Sequence, residues 1–274
     1  MSVGRPSDKT AVVTGARLAG KTVLVTGGES GIGAAIVRRF RAEGAVVLAA
    51  GLQEGLLAAL ARDTGAEERV CDVTDQSAVA DTVRSASQLT GALHVVVNAA
   101  GIMHSDSVAD IEDAAWERLL AVNLSGTMRV CRAAIPYLKS AGGGAVVNVS
   151  SVAAFNGSAG MASYGAGKAG VIAFTRALAN EYGRYGIRAN CLCPGWVHTP
   201  MSEEEMREVA RQRGGTVEQA FAGLTERIAL RRIAEAGEMA GCALFLASED
   251  ASFVTGAVLV ADGGARTPAT ARAL

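Results

Sequence analysis

Tyr164 and Lys168 lie four residues apart in the stretch Y-G-A-G-K. On a helix that spacing puts both side chains on one face. A phenol titrates near ~10 and is by itself a poor base at neutral pH. A neighbouring ammonium favours the phenolate and lowers its pKa. Such a pair can take a proton from an alcohol or return one to a ketone. Alone, Y-x-x-x-K also describes two solvated neighbours on a helix surface, so its weight depends on the rest of the chain.

A second chemical feature is the stretch from Thr26 to Gly33, TGGESGIG. It follows a short apolar run and opens a helical pattern. Gly27 permits a tight turn, Gly31 leaves room for backbone beside a pyrophosphate, and Gly33 permits close helix contact. The anion would be met by free N–H groups and the positive end of the helix. The spacing is T-G-x-x-x-G-x-G rather than the commoner G-x-G-x-x-G.

These residues need elements to hold them. Apolar, often β-branched runs occur at 22–26, 46–50, 69–72, 93–98, 145–149, 187–192 and 257–260. Helical periods lie between them, at 31–44, 52–64, 74–89, 113–138, 161–185 and 235–248. Near-continuous apolar strands suit a sheet covered on both faces. The expected fold is α/β: a Rossmann-type, doubly wound parallel sheet of about seven strands in three layers, α/β/α. Residues 1–20 read as an N-terminal extension, 21–264 as one Rossmann-type domain, and 265–274 as a tail. The charged segment at about 200–232 interrupts the rhythm beyond a strand end and is expected to form one or two helices acting as a substrate lid.

Composition narrows the function classes. The chain has 274 residues, 50% apolar, with 26 basic and 27 acidic side chains. Balanced charge argues against a nucleic-acid partner. No apolar run reaches the length of a membrane span, and Met1 to Lys9 carries no secretory signal. Five cysteines without a disulfide framework suit a reducing compartment, so a cytoplasmic location is expected. Cys191 and Cys193 alternate within an apolar run, as core residues do. His94, His104 and His198 form no metal motif, and no metal is expected.

The chain resembles the classical short-chain dehydrogenase/reductase family from about residue 20 to residue 264. The glycine motif matches at Thr26, Gly27, Gly31, Ile32 and Gly33. The N-N-A-G motif resembles Asn98, Ala99, Ala100 and Gly101, with Ala99 replacing one Asn. Tyr164 and Lys168 match the active-site pair, Pro194 and Gly195 the later P-G, and Thr255, Gly256, Asp262, Gly263 and Gly264 the terminal motif. By resemblance Asn123, Ser151, Tyr164 and Lys168 form a catalytic tetrad. Ser151 would hold the substrate oxygen, with Ser150 its rival. Asn123 would hold a helix bend and a water linking Lys168 to solvent. The implied reaction is reversible hydride transfer between a nicotinamide and a ketone or secondary alcohol.

The resemblance extends the cofactor set to Ser30, Gly51, Asp72, Val73, Asn98, Ala99, Gly101, Pro194, Gly195, Val197 and Thr199, besides Tyr164 and Lys168. The adenine-ribose reader at the end of the second strand aligns with Gly51, so the usual carboxylate against NADP is missing. The usual Arg of the glycine loop is Ser30, beside the acidic Glu29, and Arg17 is a candidate substitute. The balance leans slightly to NADP over NAD. Met103, His104, Ala153, Phe155, Met161, Trp196, Val197 and His198 are the expected substrate lining, which favours an apolar or cyclic ketone or alcohol. A 3-oxoacyl-[acyl-carrier-protein] reductase, with Arg129 and Arg132 near the mouth, is the alternative. A non-catalytic nucleotide-binding scaffold is the alternative of another class. The family's habit implies a homodimer or homotetramer.

Overall fold

A computed structural model describes residues 16–265 of the chain. Seven parallel strands form the central sheet: β1 (Thr22–Thr26), β2 (Val46–Gly51), β3 (Glu67–Val70), β4 (Val95–Asn98), β5 (Gly144–Val149), β6 (Ile187–Pro194) and, after two short strands, β9 (Val258–Ala261). Their spatial order is β3-β2-β1-β4-β5-β6-β9. The order reverses between β1 and β4, and a crevice opens there at the carboxyl ends of the strands.

Both faces of the sheet are covered. Val23 and Val25 point to one side, where α1 (Gly31–Ala42) and α9 (Ala236–Ala247) supply Ile36, Val37, Phe40, Met239 and Leu244. Leu24 points to the other, against residues of α3 (Gln76–Gln88), α5 (Thr127–Ser140) and α6 (Ala162–Tyr182), among them Val83, Cys131 and Leu178. A strand buried on both faces has no use for alternation, which is why these runs read as continuously apolar. Each fully buried large aliphatic or aromatic side chain contributes about 1.5–3 kcal/mol.

Several boundaries differ from the sequence reading. The third strand is residues 67–70 rather than 69–72, and the fourth starts at Val95. The expected long helix at 113–138 is α4 (Asp113–Leu120), a π-helical turn (Ala121–Gly126) and α5, which runs through Pro136. Between β3 and β2, on the outer edge, lies α2 (Glu54–Thr64).

The charged insertion folds as two helices, α7 (Pro200–Arg213) and α8 (Val217–Thr225). Its two ends are tied together, because β7 (Val197–His198) pairs with β8 (Ala234–Glu235). At the N-terminal side Leu18 is buried, and Arg17 pairs with Asp250 at 3.2 Å. Most of the N-terminal extension, residues 1–15, and the tail beyond 265 lie outside the described residues. No described helix is long and apolar enough to cross a membrane.

Candidate active site

The glycine loop and the start of α1 form one end of the crevice. Gly27 has φ +65°, and a Cβ there would come within 2.6 Å of the Ala100 backbone. A Cβ on Gly33 would collide with the Gly27 carbonyl, so helix and loop can pack this closely only without one. Ser30 is the N-cap of α1 but makes no side-chain cap hydrogen bond. The first amides of the helix therefore keep their donors for an anion. Gly27, Ser30, Gly31, Ile32, Gly33, Gly51, Asp72, Val73, Ala99, Gly101, Pro194, Gly195, Val197 and Thr199 all line one cleft with Ser151, Tyr164 and Lys168. Its volume is about 540 Å³. These residues fit a nicotinamide dinucleotide, since the cradle is one that Cβ atoms would fill and its helix amides are uncapped.

Two expected residues do other work. Asn98 is buried away from the cleft. Strand register sets it beside Asn148, and its Nδ2 donates to Asn148 Oδ1 at 2.8 Å. Asn148 donates onward to Thr175 Oγ1 at 2.8 Å, pinning α6 to the sheet. Thr199 lines the cleft, but its Oγ1 already accepts from Ser202 N–H as the cap of α7.

The catalytic candidates converge at the carboxyl ends of β4 and β5. Lys168, on α6, is buried, and its Nζ donates to the Val149 carbonyl at 2.9 Å. A Cβ on Gly101 would lie 3.3 Å from Asn123 Oδ1 and 3.4 Å from Lys168 Nζ, so all three meet at one point. Asn123 sits in the π-helical turn with no exposed surface. Its Oδ1 accepts from the Ile102 N–H and its Nδ2 donates to the Ile102 carbonyl, each at 2.8 Å. The two serines point different ways. Ser150 turns inward and donates to the Lys168 carbonyl at 2.8 Å, whereas Ser151 lines the cleft, where its Oγ accepts from the Ala153 N–H at 3.1 Å.

The electrostatics depart from the simple spacing argument. The expectation was that Lys168 lowers the Tyr164 pKa. Burial dominates instead and pushes the phenol up to about 12, with the Ser151 hydrogen bond pulling the other way. Burial also brings the Lys168 ammonium down to about 8. Both groups lose hydration, and each therefore favours its neutral form.

A model of the family described as "Enoyl-(Acyl carrier protein) reductase" matches residues 27–266. The 3-oxoacyl-[acyl-carrier-protein] reductase FabG of Thermotoga maritima is 36% identical over 253 residues, which is 90% of this chain and 98% of that protein. The chain belongs to the classical short-chain dehydrogenase/reductase family. It is an NAD(P)-dependent oxidoreductase acting on a ketone/alcohol pair. The D-beta-hydroxybutyrate dehydrogenase of Cupriavidus necator is 34% identical to this dehydrogenase/reductase, over 90% of the chain and 98% of that protein. The crystal structure of levodione reductase superposes with a TM-score of 0.86 at 32% identity, covering 90% of this chain and 98% of that one.

The substrate end of this short-chain dehydrogenase/reductase differs in part from the expected lining. Met103, Ala153, Met161, Trp196 and Val197 line the cleft. His104, Phe155 and His198 do not. His104 lies beside Asp106, Phe155 is exposed, and His198 stacks on Phe221 with ring centroids 5.3 Å apart. Arg129 and Arg132 are not in the cleft either, and Arg129 reaches back to the Ala121 carbonyl.

Two charged groups were missed, and the place of a third was not foreseen. Arg118 reaches the cleft from α4, one turn before Val122 on the same face. Glu205 reaches it from α7, one turn after Met201, and burial raises its carboxyl to about 7. The i, i+4 spacing of each pair was the available signal. The third is Glu29. Its carboxylate lies over Gly51, where the sequence reading found no acid. Arg17, the candidate phosphate ligand, stands at the opposite, amino ends of the strands with Lys21 and His94.

Proposed function

We propose that Tyr164, Lys168, Ser151 and Asn123 carry the reaction, and that its substrate is a neutral, apolar or cyclic ketone or secondary alcohol. When bound, the nicotinamide supplies the hydride acceptor in oxidation and the donor in reduction. The chain's residues handle position and proton. Ser151 Oγ and the Tyr164 hydroxyl hold the substrate oxygen from one side. In oxidation that oxygen's proton goes to Tyr164 as the hydride leaves the carbinol carbon, and in reduction both return. Lys168 holds the local charge and binds the nicotinamide ribose. Asn123 fixes the Ile102 loop that forms the opposite wall.

The observation that carries the substrate class is the lining beyond the dinucleotide cradle. Ala153, Met161, Trp196 and Met201 there are apolar, with Asn156 and Ser158 neutral, and Glu205 is the carboxylate that acts on Tyr164, while Arg118 enters from α4. A carboxylate on the substrate would meet an acid at that wall, which costs rather than gains binding energy. This supports a neutral substrate over the short hydroxy acid named for the Cupriavidus relative. It also leaves the acyl-carrier-protein reading without the basic mouth expected from Arg129 and Arg132.

Five free cysteines among the described residues support the reducing, cytoplasmic setting. A closed homodimer or homotetramer remains the proposed assembly, supported by the uncovered Phe253 and by Val260 on the edge strand β9. Light scattering at the monomer mass would sink it. The test of function is turnover of purified protein with NADH and NADPH on neutral cyclic ketones and on 3-oxo acids. Faster reduction of the neutral set is expected, and preference for the oxo acids would overturn the substrate class.

A further inference from the structure

The glycine loop and the end of β2 are stitched together around Gly51. On one side the Gly28 N–H donates to the Ala50 carbonyl at 3.0 Å. On the other, the Leu52 N–H donates to Glu29 Oε1 at 3.0 Å. Between these two bonds the Glu29 carboxylate occupies the space that a side chain at position 51 would need. The three atoms nearest to a Cβ built on Gly51 all belong to that carboxylate. Its other oxygen, Oε2, is buried and has no hydrogen-bond partner. Glu29 and Gly51 both line the dinucleotide cleft.

An acid at the end of the second strand accepts from the adenosine ribose 2′-OH and repels a 2′-phosphate. Here the strand residue has no side chain, and the acid arrives from the loop instead. We propose that Glu29 is the specificity-determining residue for the cofactor, replacing the missing strand-end acid and selecting NAD over NADP. The inference rests on the assignment of this cleft to a nicotinamide dinucleotide.

Oε2 is closed off over Gly51 and has no donor, and a buried acceptor without a donor is costly to leave so. A turn of the carboxylate toward the cleft would let it accept from a ribose hydroxyl. A phosphate in the same place would face that oxygen with a charge of about −2. Among the described residues nothing nearby offsets the repulsion. Ser30 stands where the family's arginine would be. Arg17 is paired with Asp250 at the far end of the sheet. Arg38 and Arg39, on the last turns of α1, pair with Asp63 and Glu43. Among the described residues of the cleft the only lysine or arginine side chains are Lys168 and Arg118, one beneath the tyrosine and one on α4.

The experiment is a fluorescence titration of the whole protein with NADH and NADPH, read as dissociation constants and independent of turnover. The wild type should bind NADH at least tenfold more tightly, about 1.4 kcal/mol. Glu29→Gln keeps the shape and the Leu52 bond but removes the charge. It should lower that ratio at least fivefold, chiefly by tightening NADPH. The double variant Glu29→Ala/Gly51→Asp puts the acid back on the strand, into space the glutamate has vacated, and should restore the preference for NADH. A wild-type ratio under tenfold, or a Glu29→Gln ratio changed less than fivefold, overturns the role of Glu29 while leaving the cleft assigned to a dinucleotide. If folded protein binds neither nucleotide, the cleft assignment itself fails and the inference falls with it.

Discussion

Asn123 grips a single residue, Ile102, by both of its main-chain groups, accepting from the N–H and donating to the carbonyl at 2.8 Å each. The grip is possible because the chain leaves α-helical geometry at Ala121–Gly126, where Asn123 is buried. An asparagine inside a helix is unfavourable by propensity. Here its amide replaces the partners that the loop after β4 would otherwise lack, and it stands beside Lys168.

Removing that amide leaves the two part-buried main-chain groups of Ile102 without their partner. Asn123→Ala should therefore destabilise the protein by about 2–4 kcal/mol. Denaturant unfolding checks this through the midpoint. A loss below about 0.5 kcal/mol, typical of an exposed site, would mean that the grip contributes nothing.

The pH dependence should differ between the two directions. Oxidation needs Tyr164 without its proton, and burial holds the phenol high, at about 12, while Lys168 sits near 8. The deprotonated population grows with pH. The kcat/KM for alcohol oxidation should then rise from pH 6 upward, by up to about tenfold per unit below the first apparent pKa of the pair. Ketone reduction uses the protonated form and should stay level through neutrality and fall in alkali. Initial rates from pH 6 to 10 in both directions check it, and an oxidation profile flat over that range would contradict it.

Glu205 carries a cost that depends on pH. Its carboxyl is raised from the ordinary 4.5 to about 7 by burial alone. The folded state therefore holds a proton that the unfolded state has released between those values, and stability falls as pH rises from about 4.5 to about 7. Above pH 7 the buried charge remains as a penalty. The side chain is partly exposed, so solvent screening reduces it to about 1–2 kcal/mol. Glu205→Gln should raise Tm at pH 8 by a few degrees and change it little at pH 4.5. Equal shifts at both pH values would show that the effect is packing rather than charge.

Much of the site was legible because it is written in short spacings. The glycine loop and the Tyr164–Lys168 step, which the structure places along one cleft, each depend on a few consecutive residues. The sheet was legible from apolar runs too continuous for a one-sided sheet. The features that escaped join distant parts of the chain. Glu29 reaches across to Gly51 from another loop, and no local pattern encodes that contact. Asn98 faces Asn148 only because β4 and β5 pair in that register. The Tyr164 pKa was misjudged because spacing reports the neighbouring ammonium but not the burial that outweighs it.

The central claim is that Tyr164 moves the proton while the cleft binds the dinucleotide without it. Tyr164→Phe removes one oxygen from a side chain packed in the cleft. Turnover of the best ketone should fall by about 10²–10⁴-fold, while the dissociation constant for the nicotinamide cofactor changes by less than about threefold. A variant that binds cofactor normally and turns over at the wild-type rate would contradict the account.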